Sequence, residues 1–120
     1  MWEGVLYYLT PEAVDSTLAF VRARSPRGSR LVFDYQTTAA RSERRVDPPL
    51  RAAMRAAAPA EPIRFRIEEG QVEPFLSTRG YRLAEHLSSR EMERRYLTLR
   101  DGSLAGEVAG YMALASAETL

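Results

Sequence analysis

Cysteine and lysine are absent from the chain, and histidine occurs once, as His86. Without cysteine the protein can form no disulfide, no thiolate metal site and no cysteine nucleophile. A single histidine is too few for a histidine-based metal site, so we expect no bound metal. The sequence also lacks an apolar run of the roughly 18 residues that a transmembrane helix needs, and it begins without the basic and apolar segments of a signal peptide. These absences favour a soluble cytoplasmic protein.

Acidic and basic residues nearly balance. The 17 basic residues are all arginine and face 16 acidic ones, which gives a net charge of +1. No global charge directs the chain to nucleic acid or to an anionic membrane, and we expect neither as a partner. The exclusive use of arginine, together with abundant alanine, indicates a codon bias more than a binding feature. With 120 residues, of which 45% are hydrophobic, the chain can form one domain with a real core.

Local signals in the first third predict a helix followed by a strand. The segment Thr10-Pro11-Glu12 combines a capping residue, a proline suited to the first helical position and a carboxylate that complements the helix dipole. An apolar stripe at helical spacing follows, formed by Val14, Leu18 and Val21. A turn at residues 25–28 ends the helix. Leu31-Val32-Phe33 then leads to Asp34-Tyr35 and is typical of a strand that is buried on both faces.

The middle of the chain is its least regular part. Residues 36–47 are polar and arginine-rich, and we interpret them as a loop or a mobile helical segment. Asp47-Pro48 predicts the start of another helix, which Pro59 closes. The apolar face of that helix consists of Leu50, Met54 and Ala57. Residues 36–61 together form an irregular helical insertion in a single domain that spans residues 1–120.

The last third predicts two short helices and two more strands. Residues 72–76 place their apolar side chains on one helical face. Residues 81–87 alternate as a half-buried strand would, with His86 on the side opposite to the apolar residues. Ser88-x-x-Glu91 forms a capping box for the next helix. The most apolar run of the sequence, residues 108–115, predicts the final strand.

Strands and helices alternate along the chain, which predicts an α/β sheet with helices on its faces. The first strand is only a stump, because Glu3 already stands at its carboxyl end. A sheet of this class buries its strands between neighbours. We therefore expect a partial domain that residues before Met1 would complete. The incomplete sheet would expose unpaired backbone groups, and we expect that edge to allow a homo-oligomer.

Candidate site residues follow from the rule that open α/β sheets bind ligands outside the carboxyl ends of their strands. At Glu3-Gly4 the carboxylate could accept hydrogen bonds, and the glycine lets a ligand approach the backbone. At Asp34-Tyr35 the aspartate could contact a ligand or cap a turn. Tyr7 and Tyr8 could line a pocket or pack in the core. The residues alone leave these alternatives open, including Glu3 as a solvated loop acid.

One long segment resembles a known family. The run Trp2-Glu3-Gly4-Val5-Leu6-Tyr7-Tyr8-Leu9-Thr10-Pro11-Glu12-Ala13-Val14 is similar to the segment after the fourth strand in leucine carboxyl methyltransferase-like proteins. That family includes bacterial polyketide-synthesis-type O-methyltransferases, and its members carry Glu-Gly, Tyr-Leu and a Pro-Glu-Ala-Val-type helix start in this order. Less specific matches follow at residues 28–35, 75–76, 80–81 and 93–97. The resemblance covers nearly the whole chain and is weakest at residues 36–61.

The resemblance implies a fold, a cofactor and a reaction. The fold would be the C-terminal half of a Rossmann-like class I methyltransferase, with an antiparallel last strand. The cofactor would be S-adenosyl-L-methionine, and the reaction would be transfer of its methyl group to an oxygen of a small acceptor. Three residues would lie at the cofactor: Glu3, Gly4 and Tyr8. Three would lie on the substrate side of the same crevice: Tyr7, Asp34 and Tyr35.

The sequence departs from the family in the other half of the cofactor site. The family has a glycine-rich loop after its first strand and an acidic residue after its second strand that holds the ribose. This chain contains no Gly-x-Gly pattern. Methyl transfer depends mainly on positioning of the reactants. We therefore expect this chain alone to bind S-adenosyl-L-methionine weakly or not at all, and to be inactive.

Two other classes of function stay open at this stage. A non-catalytic α/β interaction module would self-associate through the exposed sheet edge, and a small α/β ligand-binding domain would share only the general arrangement. A local excess of arginine is either a solvated surface or a segment that attracts an acidic substrate; it comprises Arg41, Arg44, Arg45, Arg51 and Arg55. We interpret His86 as a structural or surface residue more than as a general base.

Overall fold

The computed structural model of the protein describes residues 1–38 and 47–120. A short 3₁₀ turn at Leu6–Tyr8 precedes the described helices and strands. The helices are α1 (Pro11–Arg24), α2 (Pro48–Ala57), α3 (Val72–Ser77) and α4 (Ser89–Tyr96), and the strands are β1 (Arg30–Gln36), β2 (Tyr81–Ser88) and β3 (Met112–Thr119). This is the α/β arrangement that the sequence predicts. Most of the predicted loop at residues 36–47, including Arg41, Arg44 and Arg45, lies outside the described residues.

Helix α1 begins and ends where the sequence predicts. Thr10 is the N-cap residue, and its side-chain hydroxyl accepts a hydrogen bond of 3.2 Å from the Ala13 N–H. This bond satisfies one of the amide groups that the first helical turn leaves without an intrahelical partner. Val14 and Leu18 of the predicted stripe are buried, so α1 packs against the sheet with that face.

Replacing Thr10 by alanine should lower the free energy of unfolding by about 1 kcal/mol, because the variant loses the hydrogen bond to the Ala13 amide. Urea denaturation followed by circular dichroism measures the change. Thr17→Ala is the matched control: Thr17 lies inside α1, where its hydroxyl donates to the Ala13 carbonyl, and alanine is the better helix former at such a position. An equal loss of stability in the control would contradict the capping role.

The sheet has the order β1-β3-β2, and β3 runs antiparallel to both neighbours. The expectation of an antiparallel last strand is confirmed. At the outer edge of β1, Trp2 forms a parallel bridge with Phe33. The Trp2 N–H donates to the Val32 carbonyl at 2.7 Å, and the Asp34 N–H donates to the Trp2 carbonyl at 3.3 Å. The predicted strand stump is therefore a single bridging residue beside β1.

The final strand is displaced from its predicted position. The apolar run 108–115 predicted the strand, but β3 spans Met112–Thr119. The Val108 N–H donates instead to the Glu93 carboxylate at 3.0 Å, and the chain turns just before β3. β3 continues through polar residues to Thr119 because it pairs with a strand on each side. Backbone pairing, more than side-chain hydropathy, decides where this strand ends.

A β-bulge in β2 corrects the predicted alternation of that strand. The register shifts between Leu83 and Glu85, so one extra residue is accommodated there. Beyond the bulge His86 pairs with Ala115, which places His86 on the same face as Leu83. Leu87 then lies on the other face. The prediction that put His86 opposite the apolar residues is wrong, because the bulge shifts the two-residue period by one.

The core lies on one face of the sheet. Phe33 and Tyr35 of β1, Tyr81 of β2 and the small side chains of β3 meet buried side chains of α1, α3 and the 3₁₀ turn. Alanines in the central strand leave room for these larger neighbours, as close packing requires. On the opposite face Val32 and Asp34 are partly buried and Gln36 is buried. The expectation that β1 is buried on both faces is therefore met only at its carboxyl end, since an antiparallel sheet needs only one packed face.

The other predicted elements are present. The capping box of α4 is formed, with hydrogen bonds from the Glu91 N–H to the Ser88 hydroxyl and from the Ser88 N–H to the Glu91 carboxylate. These bonds to the Ser88 amide and hydroxyl lower the pKa of Glu91.

Gly80 follows α3 with a φ of +78°, a left-handed conformation that favours glycine. α2 lies where predicted, although none of its described residues is buried. Within residues 1–38 and 47–120 no helix is long and apolar enough to cross a membrane.

Candidate functional site

The structure brings Glu3-Gly4 and Asp34 together at one edge of the sheet. Because Trp2 and Phe33 are paired in parallel, the residues that follow each of them reach the same edge. Gly4 has a φ of +68°, and its N–H donates to the Asp34 carboxylate at 2.8 Å. Asp34 therefore fixes the backbone of the turn that carries Glu3.

Glu3 itself presents an exposed carboxylate at this edge. Within the described part of the chain it forms no hydrogen bond or ion pair. The bond between Gly4 and Asp34 thus fixes the backbone next to Glu3, while the Glu3 side chain is exposed to solvent. Such a group can accept hydrogen bonds from a cationic or hydroxyl-bearing ligand.

The 3₁₀ turn carries the two predicted tyrosines. The Leu6 side chain is fully buried and anchors the turn. The rings of Tyr7 and Tyr8 lie with their centroids 4.7 Å apart. The Tyr7 hydroxyl lies beside Gly4, since a methyl group on the Gly4 Cα would be 3.9 Å from it. Partial burial raises the pKa of Tyr7, and the nearby Asp34 carboxylate raises it further, so the hydroxyl keeps its proton at neutral pH.

Tyr7 and Tyr8 form part of the wall of a cavity of about 780 Å³. This volume falls in the range of roughly 300–1,000 Å³ that is typical of small-molecule sites. The lining residues are Tyr7, Tyr8, Gln36, Thr37, Arg51, Met54, Arg55, Ala57, Ala58, Glu61, Ile63, Arg66, Tyr111 and Met112. A second cavity of about 420 Å³, between α1 and Arg79, contains none of the predicted site residues.

Two hydrogen bonds fix side chains of the cavity wall. The Tyr8 hydroxyl donates to the Glu61 carboxylate at 3.3 Å. Loss of solvation raises the pKa of Tyr8, and the Glu61 charge and hydrogen bond raise it further. On the other side, the Tyr111 hydroxyl contacts the Met54 sulfur at 3.1 Å. The first bond connects the 3₁₀ turn to the segment after α2. The second connects α2 to the turn before β3.

Several residues of the wall could not be found from the sequence. Arg51 and Arg55 belong to the arginine excess, whereas Arg66 and Glu61 carry no local signal. Arg66 reaches the cavity because the next residue, Ile67, forms a parallel bridge with Thr37 at the end of β1. Such a contact between distant segments depends on the tertiary fold and leaves no periodic pattern in the sequence.

Tyr35 takes a different position from the other predicted residues. It is only 2% exposed, does not line the cavity, and its hydroxyl is 3.0 Å from the His86 Nε2 atom. Burial, and then the charge of Glu69, raise the pKa of Tyr35 to about 12. In this fold Tyr35 and His86 form a hydrogen-bonded pair beside the core. The assignment of Tyr35 to the substrate side stays a prediction.

Comparison with known proteins finds a similar protein for most of the chain. No protein-family model matches the chain. The chain is similar to a Bacillus subtilis (strain 168) protein that bears the name "Putative S-adenosyl-L-methionine-dependent methyltransferase YktD". The two are 30% identical over 106 residues, which are 85% of this chain and 34% of YktD. The chain therefore spans about a third of the length of this relative.

Proposed function

We propose that this chain is part of an S-adenosyl-L-methionine-dependent methyltransferase and forms one side of its active site. The observation that carries the proposal is the convergence of the Glu3-Gly4 turn, the Asp34 carboxylate and the Tyr7 hydroxyl beside a cavity of small-molecule size. The similarity of most of the chain to YktD supports the proposal.

The sheet supports a Rossmann-like class I methyltransferase fold, of which the chain would hold the C-terminal half. A parallel pair, Trp2 with β1, is followed by an antiparallel strand that lies between β1 and β2. An antiparallel last strand is the feature that the family resemblance implies. In open α/β sheets the ligand lies outside the carboxyl ends of the parallel strands, and the Glu3-Gly4 turn occupies that position.

The residues present fit the amino-acid part of the cofactor. Glu3 can accept hydrogen bonds from the ammonium group of the methionine part, because its carboxylate is exposed and has no partner among the described residues. Gly4 leaves space for close approach, since of the non-neighbouring groups only the Tyr7 hydroxyl lies within 4 Å of a methyl group built on it. Tyr8 borders the same wall. When bound, the cofactor supplies the electrophilic methyl group.

The acceptor would occupy the cavity and offer an oxygen to the methyl group, as in leucine carboxyl methyltransferase-like and polyketide-synthesis-type O-methyltransferases. Tyr7 is suited to hold that oxygen. Its hydroxyl keeps its proton and lies beside Gly4, while its ring forms part of the cavity wall. Asp34 acts through the Gly4 amide and is a positioning residue. The contribution of these groups is orientation, which supplies much of the rate in such transfers.

The proposal predicts weak but localised cofactor binding by this chain. The sequence contains no Gly-x-Gly pattern like the glycine-rich loop that the family resemblance implies for the other half of the cofactor site. We expect S-adenosylhomocysteine to bind with a dissociation constant in the millimolar range, worth about 4 kcal/mol. In an NMR titration of the ¹⁵N-labelled chain, the amide shifts should cluster at residues 3–8 and at Asp34.

Two variants sharpen this titration. Glu3→Gln should weaken binding about fivefold, because it removes a charge-assisted hydrogen bond. Glu107→Gln is the matched control, since Glu107 is exposed in a loop and does not line the cavity, and it should leave binding unchanged. Shifts centred elsewhere, or none at all, would overturn the proposed function. Micromolar binding would contradict the expectation that the chain holds only one side of the site.

The alternative of a non-catalytic interaction module needs an open strand edge. The outer edge of β1 is already bonded in its middle, by Trp2 to Val32 and Asp34, and at its carboxyl end, by the Ile67 N–H to the Gln36 carbonyl at 3.0 Å. This pairing favours the enzyme over a module that associates through β1. A homo-oligomer that forms at this edge of the sheet would have to pair with the edge of Trp2 that faces away from β1.

A further inference from the structure

We propose that the cavity beside Tyr7 and Tyr8 binds a small molecule with an apolar body and an acid group. Only one part of this inference rests on the proposed function, namely that the bound molecule is the methyl acceptor. Binding of the acid itself is a property of the cavity wall and can be measured without any cofactor.

The charge of the wall is the first argument. Arg51, Arg55 and Arg66 contribute three guanidinium groups, against the single carboxylate of Glu61. Glu61 also accepts a hydrogen bond from the Tyr8 hydroxyl. Because Arg51 has a partner of its own, the excess among the described residues of the wall comes from Arg55 and Arg66 against Glu61. This positive charge attracts an anion, and guanidinium groups offer paired N–H donors that match the two oxygens of a carboxylate.

The availability of two of these arginines is the second argument. Arg55 and Arg66 are exposed, and neither forms an ion pair or a hydrogen bond with another described residue. Three other arginines of the described surface are paired with carboxylates and so are less available: Arg79 with Asp15, Arg82 with Glu118 and Arg95 with Glu85. Arg55 and Arg66 are therefore the arginines of the wall whose donors are open to a ligand.

The apolar part of the wall is the third argument. Met54, Ile63 and Met112 line the cavity together with small alanine side chains and the tyrosine rings. Methionine side chains adapt to ligands of different shape, and a volume of about 780 Å³ admits a ligand larger than a simple inorganic anion. A bare phosphate or acetate would leave this apolar surface uncovered, so the wall fits an acid that carries a hydrophobic body.

The test compares two probes of nearly the same size and shape, naphthoate and naphthamide, in which an uncharged amide replaces the carboxylate. Ligand-observed NMR titrations use the wild-type chain without any S-adenosyl compound. We expect naphthoate to bind about fivefold more tightly than naphthamide, the upper range for partly exposed ion pairs. Arg55→Gln and Arg66→Gln should each reduce this preference about twofold, and the double variant should abolish it.

Two further variants provide the matched controls. Arg64→Gln changes the same segment as Arg66, and Arg90→Gln changes an exposed helical position as Arg55→Gln does. Neither Arg64 nor Arg90 lines the cavity, so the preference should persist in both. Equal binding of the two probes, no binding of either, or an equal loss in the controls would overturn the inference. The S-adenosylhomocysteine titration fails or succeeds independently, which keeps this inference and the proposed function separable.

Discussion

Replacing Leu6 by alanine should lower the free energy of unfolding by about 3 kcal/mol and disturb the candidate site at the same time. Leu6 is fully buried in the core cluster with Leu18 and Phe33. The shorter side chain loses this packing and leaves a cavity that the surrounding sheet cannot fill. Because Leu6 also anchors the 3₁₀ turn, the variant should shift the amide resonances of Tyr7 and Tyr8. Urea denaturation and amide NMR spectra measure the two effects.

Val5→Ala is the matched control for this variant. Val5 precedes Leu6 in the chain but is 42% exposed, so its truncation should change the free energy of unfolding by no more than about 0.5 kcal/mol. A similar loss in both variants would mean that the turn tolerates no change at all. A negligible loss in Leu6→Ala would contradict the anchoring role that we assign to this side chain.

Signals that act within a few residues could be predicted from the sequence. Thr10 and the Ser88–Glu91 pair cap their helices as expected, because a cap depends only on a side chain and an amide three residues away. The apolar stripe of α1 identified Val14 and Leu18 as core residues for a similarly local reason. The order of strands and helices follows from these local signals, and with it the α/β class.

Features that depend on pairing between distant segments could not be predicted. The bulge after Leu83 is invisible in the alternation of β2, and it moves His86 to the face on which Tyr35 lies. The end of β3 is decided by its two neighbours and not by its own hydropathy. The same holds for Arg66, which reaches the cavity through a bridge between its neighbour Ile67 and Thr37.

The candidate site shows both kinds of information. The residue types and the family resemblance singled out Glu3, Gly4, Tyr8 and Asp34, and the structure brings Gly4 and Asp34 into hydrogen-bond contact. The resemblance does not imply the position that Tyr7 takes between two parts of the site. Its hydroxyl lies beside Gly4, and its ring lines the cavity. Tyr7 therefore connects the proposed cofactor wall to the proposed acceptor cavity.

The second large effect that we expect is a loss of stability at alkaline pH that depends on Tyr35. Burial, followed by the charge of Glu69, raises the pKa of Tyr35 to about 12 in the folded protein, compared with about 10 for an exposed tyrosine. The folded state therefore favours the neutral phenol. Its stabilising contribution is complete below pH 10 and is lost as the pH rises towards 12, by about 2–3 kcal/mol in total. Burial raises the pKa of Tyr81 as well, so the wild-type profile alone does not isolate Tyr35.

Tyr35→Phe isolates this contribution. At pH 8 the variant should be less stable than the wild type by about 1 kcal/mol, because it loses the hydrogen bond to the His86 ring. Phenylalanine does not ionise, so the wild type alone loses stability from this position as the pH rises. The difference between the two proteins should shrink, pass through zero between pH 10 and pH 11, and reach about 0.4 kcal/mol in favour of the variant at pH 11. Urea unfolding at a series of pH values measures this difference in the free energy of unfolding. A difference that stays constant with pH would show that burial does not raise the pKa of Tyr35.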